Sequence, residues 1–161
     1  MPRARRFVLD LGDEAHTLAL AAALARVVPA GGEIHLIGDL AAGKTAFARG
    51  FLRALGHRGA VKSPTFTLVE SYEFAPGQAE GRPELRAVHH FDLYRLGDVD
   101  ELEAIGYRDF VGTDGVALFE WADRVPSAIP AGGIWVVIED SGPGNERRIS
   151  ITAGRPRAGA S

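Results

Sequence analysis

The stretch Glu33 to Phe47, EIHLIGDLAAGKTAF, constrains this chain more than any other. Glu33 to Ile37 reads as a short strand, and the GDLAAGKT that follows satisfies G-x-x-x-x-G-K-[ST] at every fixed position. A strand, a glycine-rich turn and a helix opening near Lys44 together make a Walker A phosphate loop. Its glycines let the backbone N–H groups from Asp39, Leu40, Ala41, Ala42 and Gly43 through Lys44, Thr45 and Ala46 turn toward an anion, and the positive end of the helix points the same way. In that arrangement Lys44 neutralises β- and γ-phosphates and the Thr45 hydroxyl sits on Mg²⁺. Nucleotide binding is therefore the premise for reading the rest.

A chain of 161 residues suits one domain with its own core. The expected organisation is an α/β phosphate-loop domain over residues 1–154 and a small, basic, disordered tail over 155–161. No run approaches the roughly 18 apolar residues of a membrane span, and the segment Leu18 to Val28 is too short for one. The chain has no cysteine, which excludes disulfides and thiolate metal sites and agrees with a cytoplasmic location. A formal charge of −3 argues against gripping DNA or RNA by bulk electrostatics. Among the 18 basic residues only Lys44 and Lys62 are lysines. At position 44 a compact ammonium on a flexible stem is what a phosphate loop requires; Lys62 reads equally as a solvated charge or a ligand contact.

Taken in order, Arg5 to Leu9 predicts a strand, and Ala15 to Val28 a helix ended by Pro29, with Thr17 in its first turn. Phe47, Phe51, Leu52 and Leu55 recur at helical spacing before Gly56, giving a second helix over Lys44 to Leu55 with a core-facing stripe. Ser63-Pro64-Thr65 breaks periodic structure before a strand at Phe66 to Phe74, and a threonine in such a loop is placed to sense a γ-phosphate. The Gly/Pro-rich stretch Ala75 to Glu84 predicts an insertion-tolerant hairpin connection to a strand at Leu85 to Leu93. That strand carries His89 and His90, which alternate faces, so one is expected in the core and one exposed. Asp98 with Glu101 forms a capping box for a short helix over Val99 to Ala104. Gly115 to Phe119, Gly133 to Glu139 and Arg148 to Ala153 complete the strands.

A phosphate-loop site also needs a carboxylate at the end of a neighbouring strand. VALFE offers Glu120 and AVHHFD offers Asp92, both at strand ends where ligands gather in open α/β sheets. Glu120 is assigned to Mg²⁺ and Asp92 to the attacking or metal-bound water, with exchange of the two roles left open. Trp121 lies against either the nucleotide or the sheet.

The segments GDLAAGKTAFARGFLRALG, VKSPTFTLVESY, HHFDLYRL, DELEAIGYRDF and LFEW, in that order, resemble the bacterial TsaE (YjeE) ATPases of tRNA threonylcarbamoyladenosine biosynthesis. The resemblance runs from about Asp13 to Ile151, and its SPTFTL and HFDLYRL segments are far more specific than Walker A. It implies a single-domain P-loop NTPase fold with a mixed sheet, parallel at its core and flanked by helices, using ATP and Mg²⁺. It carries a nucleotide contact over to Thr17, Mg²⁺ to Thr45 and Glu120, the γ-phosphate region to Thr65 and Asp92, and a nucleotide neighbour to Arg148 in preference to Arg147. It further implies an accessory ATPase acting with the ligase subunits TsaB and TsaD on adenosine 37 of tRNAs that read codons beginning with adenine, and reaching tRNA only through them. The family pattern GDLGAGKT has glycine where this chain has Ala41; if that residue needs positive φ, alanine strains the loop by on the order of 1 kcal/mol.

Two other readings share the loop. A small-molecule kinase should add an arginine-bearing helical lid, whereas Arg82 and Arg86 fall in the 75–86 connection. A nucleotide-gated scaffold would bind ATP with little turnover. A guanine-specific switch is excluded in its usual form, because the only asparagine, Asn145, is not part of Asn-Lys-x-Asp.

Overall fold

The structure is a computed structural model that describes residues 6–11, 13–38, 43–62, 64, 67–112, 114–121, 132–140 and 147–154. Its strands are β1 (Arg6–Leu11), β2 (Glu33–Gly38), β3 (Val69–Glu73), β4 (Ala87–Asp92), β5 (Gly115–Glu120), β6 (Ile134–Asp140) and β7 (Arg147–Ala153), with helices α1 (Glu14–Val27), α2 (Lys44–Ala54) and α3 (Val99–Ala104). All seven strands join one sheet in the order β1-β7-β6-β2-β5-β4-β3. β6, β2, β5 and β4 run parallel; β1 and β7 on one side and β3 on the other pair antiparallel. The expected mixed α/β sheet with a parallel core is what the chain forms. Residues 155–161, the expected tail, lie outside the described residues.

Local chemistry sets the element ends. Asp13 caps α1 by accepting from the His16 N–H at 3.2 Å, and Pro29 follows the last turn. Gly56 takes φ +97° just past α2, a conformation that costs glycine little. Asp98 accepts from the Glu101 N–H at 3.0 Å, while the Glu101 carboxylate reaches back to the Gly97 N–H, also at 3.0 Å. The reciprocal cap is therefore shifted by one residue from the standard box. β3 starts at Val69 and not at Phe66, because Leu68 at φ +66° takes the chain out of the extended region.

Apolar residues fill both faces of the parallel core, as such sheets require. Ile34, Leu36, Val88, Val116, Leu118, Val136 and Ile138 pack with Phe47, Phe51 and Leu52 of α2 and Ala21 and Ala25 of α1. On the opposite face Phe91, Phe119, Trp135 and Ala117 pack with Leu102 and Tyr107 around α3. Here His35, fully buried, stacks between Trp135 and Phe119 at centroid distances of 4.3 and 5.3 Å.

α1 and α2 run side by side in the same direction. An Arg49–Glu14 ion pair at 2.5 Å ties the second turn of α2 to the start of α1, and Gly50 brings the backbones together. The connection at 75–86 is more ordered than its composition suggests. Ala79 and Leu85 are buried, and Arg82 donates to the Ala25 carbonyl at 2.9 Å and to Glu84 at 2.7 Å. This segment closes the far end of α1, so the tolerance to insertion expected of it does not extend to Ala79–Leu85.

A Cβ at Gly50 would lie 2.9 Å from Leu18 Cα and 3.0 Å from its carbonyl oxygen, backbone atoms that move only if α1 moves. Gly50→Ala gains about 1 kcal/mol of helix propensity but incurs about 1–3 kcal/mol of overpacking. We expect net destabilisation of roughly 1 kcal/mol, read as a lower urea midpoint with an unchanged slope.

Candidate functional site

The carboxyl ends of the parallel strands hold the candidate site residues, and the sheet order explains why. After β2 the chain moves out to β3 at the sheet edge, returns through β4 to β5 beside β2, then crosses to β6 on the other side of β2. β2 is thus the switch point of the sheet, where ligand crevices open. α2 starts at this edge, its N-terminus following Gly43, which has φ +105°. An L side chain is strained at that φ, so the last glycine of the motif is required by backbone geometry. The first-turn N–H groups of α2 and its positive dipole end face the same edge.

Lys44, the first residue of α2, is 4% exposed although it carries a charge. Its ammonium donates to the Gly38 carbonyl and lies 3.8 Å from the centroid of the Trp121 ring. Trp121, which follows β5 at φ +60°, therefore belongs to the site, and it also packs on Tyr94 with ring centroids 4.9 Å apart.

The next residue, Thr45, donates from Oγ1 to Glu120 Oε1 at 3.3 Å. Glu120 closes β5 next to β2, with Leu36 as its register partner. It is 2% exposed, and its second oxygen accepts from His90 Nε2 at 2.5 Å. Asp92, 4% exposed, ends β4 on the rung directly beside Glu120, and its Oδ1 accepts from the Tyr94 N–H at 3.0 Å. A hydroxyl and a carboxylate oxygen in contact beside a phosphate-loop lysine are hard donors of the kind Mg²⁺ takes, since it binds through one or two carboxylates plus phosphates and water. Thr45 and Glu120 fit that ion.

Thr17, at the end of the first turn of α1, is buried at 2% exposure. Asp39, Leu40, Ala41, Ala42 and Thr65 lie outside the described residues. Arg148 stands at the same edge but three strands from β5, with Asp10 and Glu139 as register partners. By alternation it shares the face of Trp135, whereas Arg147 shares the face of Ile149 and α2. The structure therefore does not bring Arg148 into the Lys44–Glu120 cluster.

His90 and Tyr94 are the site neighbours that sequence reasoning passed over. For His90 a signal existed, because period two places it on the same face as Asp92. The two histidines do separate: His89, half-buried and 2.8 Å from the Ser71 hydroxyl, faces away, and burial pushes its imidazole pKa down.

Replacing Lys44 by methionine keeps the buried stem and removes the charge. We expect Lys44→Met to lose about 2–5 kcal/mol of nucleotide affinity, thirtyfold or more, with far-ultraviolet circular dichroism unchanged. Near-native affinity in equilibrium dialysis would contradict the assignment.

Comparison with known proteins agrees with this geometry. A family model described as threonylcarbamoyl adenosine biosynthesis protein TsaE matches residues 11–149. The chain is 45% identical over 106 residues to the tRNA threonylcarbamoyladenosine biosynthesis protein TsaE of Haemophilus influenzae, covering 66% of this chain and 61% of that protein. It is 36% identical over 137 residues to the Bacillus subtilis protein of the same description, covering 85% of this chain and 79% of that one. The crystal structure of Bacillus subtilis YdiB superimposes with a TM-score of 0.77 at 28% identity, covering 96% of this chain and 89% of that one. The chain belongs to the TsaE family.

Proposed function

We propose that this chain is the ATP-binding and ATP-hydrolysing accessory subunit in formation of the threonylcarbamoyl group on adenosine 37 of tRNAs that read codons beginning with adenine, acting in the cytoplasm with TsaB and TsaD. Family membership supports the pathway. The contact of Thr45 Oγ1 with Glu120 Oε1 at 3.3 Å, beside Lys44, carries the chemical reading. It joins the metal-side hydroxyl of the Walker A motif to a carboxylate at the end of the adjacent strand.

In this reading the N-terminus of α2 and the Lys44 ammonium hold the β- and γ-phosphates. Thr45 and Glu120 hold Mg²⁺, which when bound neutralises charge on the phosphate oxygens. Asp92, the register partner of Glu120, orients the attacking water through its carboxylate. The water oxygen bonds to the γ-phosphorus as the bond to the ADP oxygen breaks, giving ADP and inorganic phosphate. Thr65 contacts the γ-phosphate and Thr17 the nucleotide. Contact of Oε1 with Thr45 supports Glu120 over Asp92 as the metal carboxylate.

The kinase reading draws nothing from residues 75–86. Arg82 is committed to the Ala25 carbonyl and Arg86 to the Pro83 carbonyl, so neither reaches toward a phosphate. A net charge of −3 suits a subunit that meets tRNA through partners.

We expect Asp92→Asn and Thr65→Ala to keep ADP affinity within about threefold while single-turnover hydrolysis falls by on the order of 10²-fold or more. Equal loss of ADP binding in both would overturn the division of roles. For the partner reading, ATP turnover and partner affinity are measured with and without TsaB and TsaD, using ADP and a non-hydrolysable ATP analogue. Slow turnover alone, faster turnover with partners and nucleotide-dependent affinity are expected. Any factor by which ATP tightens the complex must equal the factor by which the complex tightens ATP. Unchanged turnover together with nucleotide-independent affinity would remove the accessory-ATPase role.

A further inference from the structure

We infer that His90 is a positioning residue that makes Glu120 a one-oxygen ligand and thereby sets the preference of the site for Mg²⁺ over larger cations; this rests on the magnesium–nucleotide reading above. β4 and β5 pair in parallel, with His90 opposite Leu118 and Asp92 opposite Glu120. His90 and Glu120 therefore share the face that carries α2, offset by two residues in the register. The imidazole is fully buried and the Glu120 side chain is 3% exposed, so water does not compete for their contact.

Each oxygen of this carboxylate has its own partner. Oε2 accepts from His90 Nε2 at 2.5 Å, and Oε1 accepts from the Thr45 hydroxyl at 3.3 Å. One contact on each oxygen restricts the rotation of the carboxylate plane. Nδ1 of His90 is buried without a hydrogen-bond partner among the described residues, so a proton there would be an unpaired buried donor. The geometry therefore favours the tautomer with its proton on Nε2, where it is donated to Glu120 Oε2. With Oε2 committed, only Oε1 faces the metal side.

One oxygen in a fixed direction suits Mg²⁺, which demands near-octahedral geometry at short distances. Ca²⁺ accepts both oxygens of a carboxylate at longer range in a flexible shell. Releasing Oε2 should therefore weaken Mg²⁺ more than Ca²⁺. Hydrogen-bond partners of metal ligands are typically worth 10–100-fold in metal affinity.

The test is calorimetric titration of ADP into wild type, His90→Leu, His90→Gln, His90→Asn and Glu120→Gln, each with Mg²⁺, with Ca²⁺ and with chelator. Thermal unfolding is recorded for every variant. Gln carries its amide N–H near the position of imidazole Nε2, whereas Asn is too short to reach Oε2. We expect His90→Leu and His90→Asn to bind ADP like wild type in chelator, to need about tenfold more Mg²⁺ for half-saturation, and to show a smaller Mg²⁺-to-Ca²⁺ ratio. His90→Gln should stay within about threefold of wild type on all three counts.

A structural role alone would lower the unfolding temperature and leave the cation ratio unchanged, and that result overturns the inference. So does His90→Gln behaving like His90→Asn, which also decides the matter if His90→Leu fails to fold. If Glu120→Gln loses its Mg²⁺ dependence while the His90 variants keep theirs, only the positioning role falls. If wild-type ADP binding is indifferent to Mg²⁺, the magnesium reading falls and takes this inference with it.

Discussion

Three ionisable side chains, Lys44, Asp92 and Glu120, are withdrawn from water at one edge of the sheet, each with 4% or less of its surface exposed. Burying an ion costs several kcal/mol even after relaxation, so such a cluster persists only when each charge is met by fixed dipoles or counter-charges. Most of the site geometry answers that requirement. The Gly38 carbonyl and the Trp121 ring face the ammonium. The Tyr94 N–H serves Asp92, and the Thr45 hydroxyl and His90 imidazole serve Glu120. Apart from Gly38 and Tyr94, these partners are distant in sequence from the charges they serve, so the full cluster forms only when the sheet does.

That dependence runs through the order of the strands. Placing β5 directly beside β2 brings Glu120 level with Leu36, two residues before the end of β2 and close to the start of α2. Placing β4 beyond β5 brings His90 and Asp92 onto the same face. A one-residue slip in either pairing would turn these side chains to the face of α3 and leave Lys44 without its carboxylate neighbours. The apolar pattern guards against such a slip, because Leu118 and Val88 belong to the α1–α2 side of the core while Phe119 and Phe91 stack at 4.6 Å on the other. Core packing and site geometry are thus one register condition.

Elements whose signals are local could be read before folding: the phosphate loop, the α2 stripe of Phe47, Phe51 and Leu52, the Asp98–Glu101 cap and the apolar run of β5. Glu120 and Asp92 were legible as strand-end carboxylates, yet the partner of each depends on strand order, which spacing does not encode. His90 illustrates the gap. Alternation separates it from His89 correctly, but its role appears only when β4 lies next to β5. The 75–86 connection misled for a different reason, because its Gly and Pro describe turn chemistry and say nothing of Arg82 reaching Ala25 on α1. Arg147 and Arg148 differ only in parity, and the face each takes follows from the β6–β7 register.

Trp121 shows what the backbone at this edge is arranged to do. Continued as strand, residue 121 would alternate onto the face of Phe119, away from α2 and its lysine. Its φ of +60° breaks the alternation immediately after Glu120, and the indole comes to lie across Lys44. A bulky residue in the left-handed region costs on the order of 1–3 kcal/mol. The cation–π contact contributes about 0.5–2 kcal/mol and the Trp121 N–H bond to the Leu36 carbonyl, at 3.2 Å, about 1 kcal/mol more. These terms nearly cancel, so stability alone does not account for the conformation. What distinguishes it from an ordinary strand end is the position it gives an aromatic face, against the ammonium of the phosphate loop and directly after the carboxylate at the metal side. Leu68, the other non-glycine residue at positive φ among those described, lies at the same edge and offers its carbonyl to the Asp92 N–H at 2.9 Å. Among the described residues, non-glycine backbone strain thus falls where the sheet delivers its carboxylates, and at Trp121 it sets the direction of a side chain that strand geometry alone would point elsewhere.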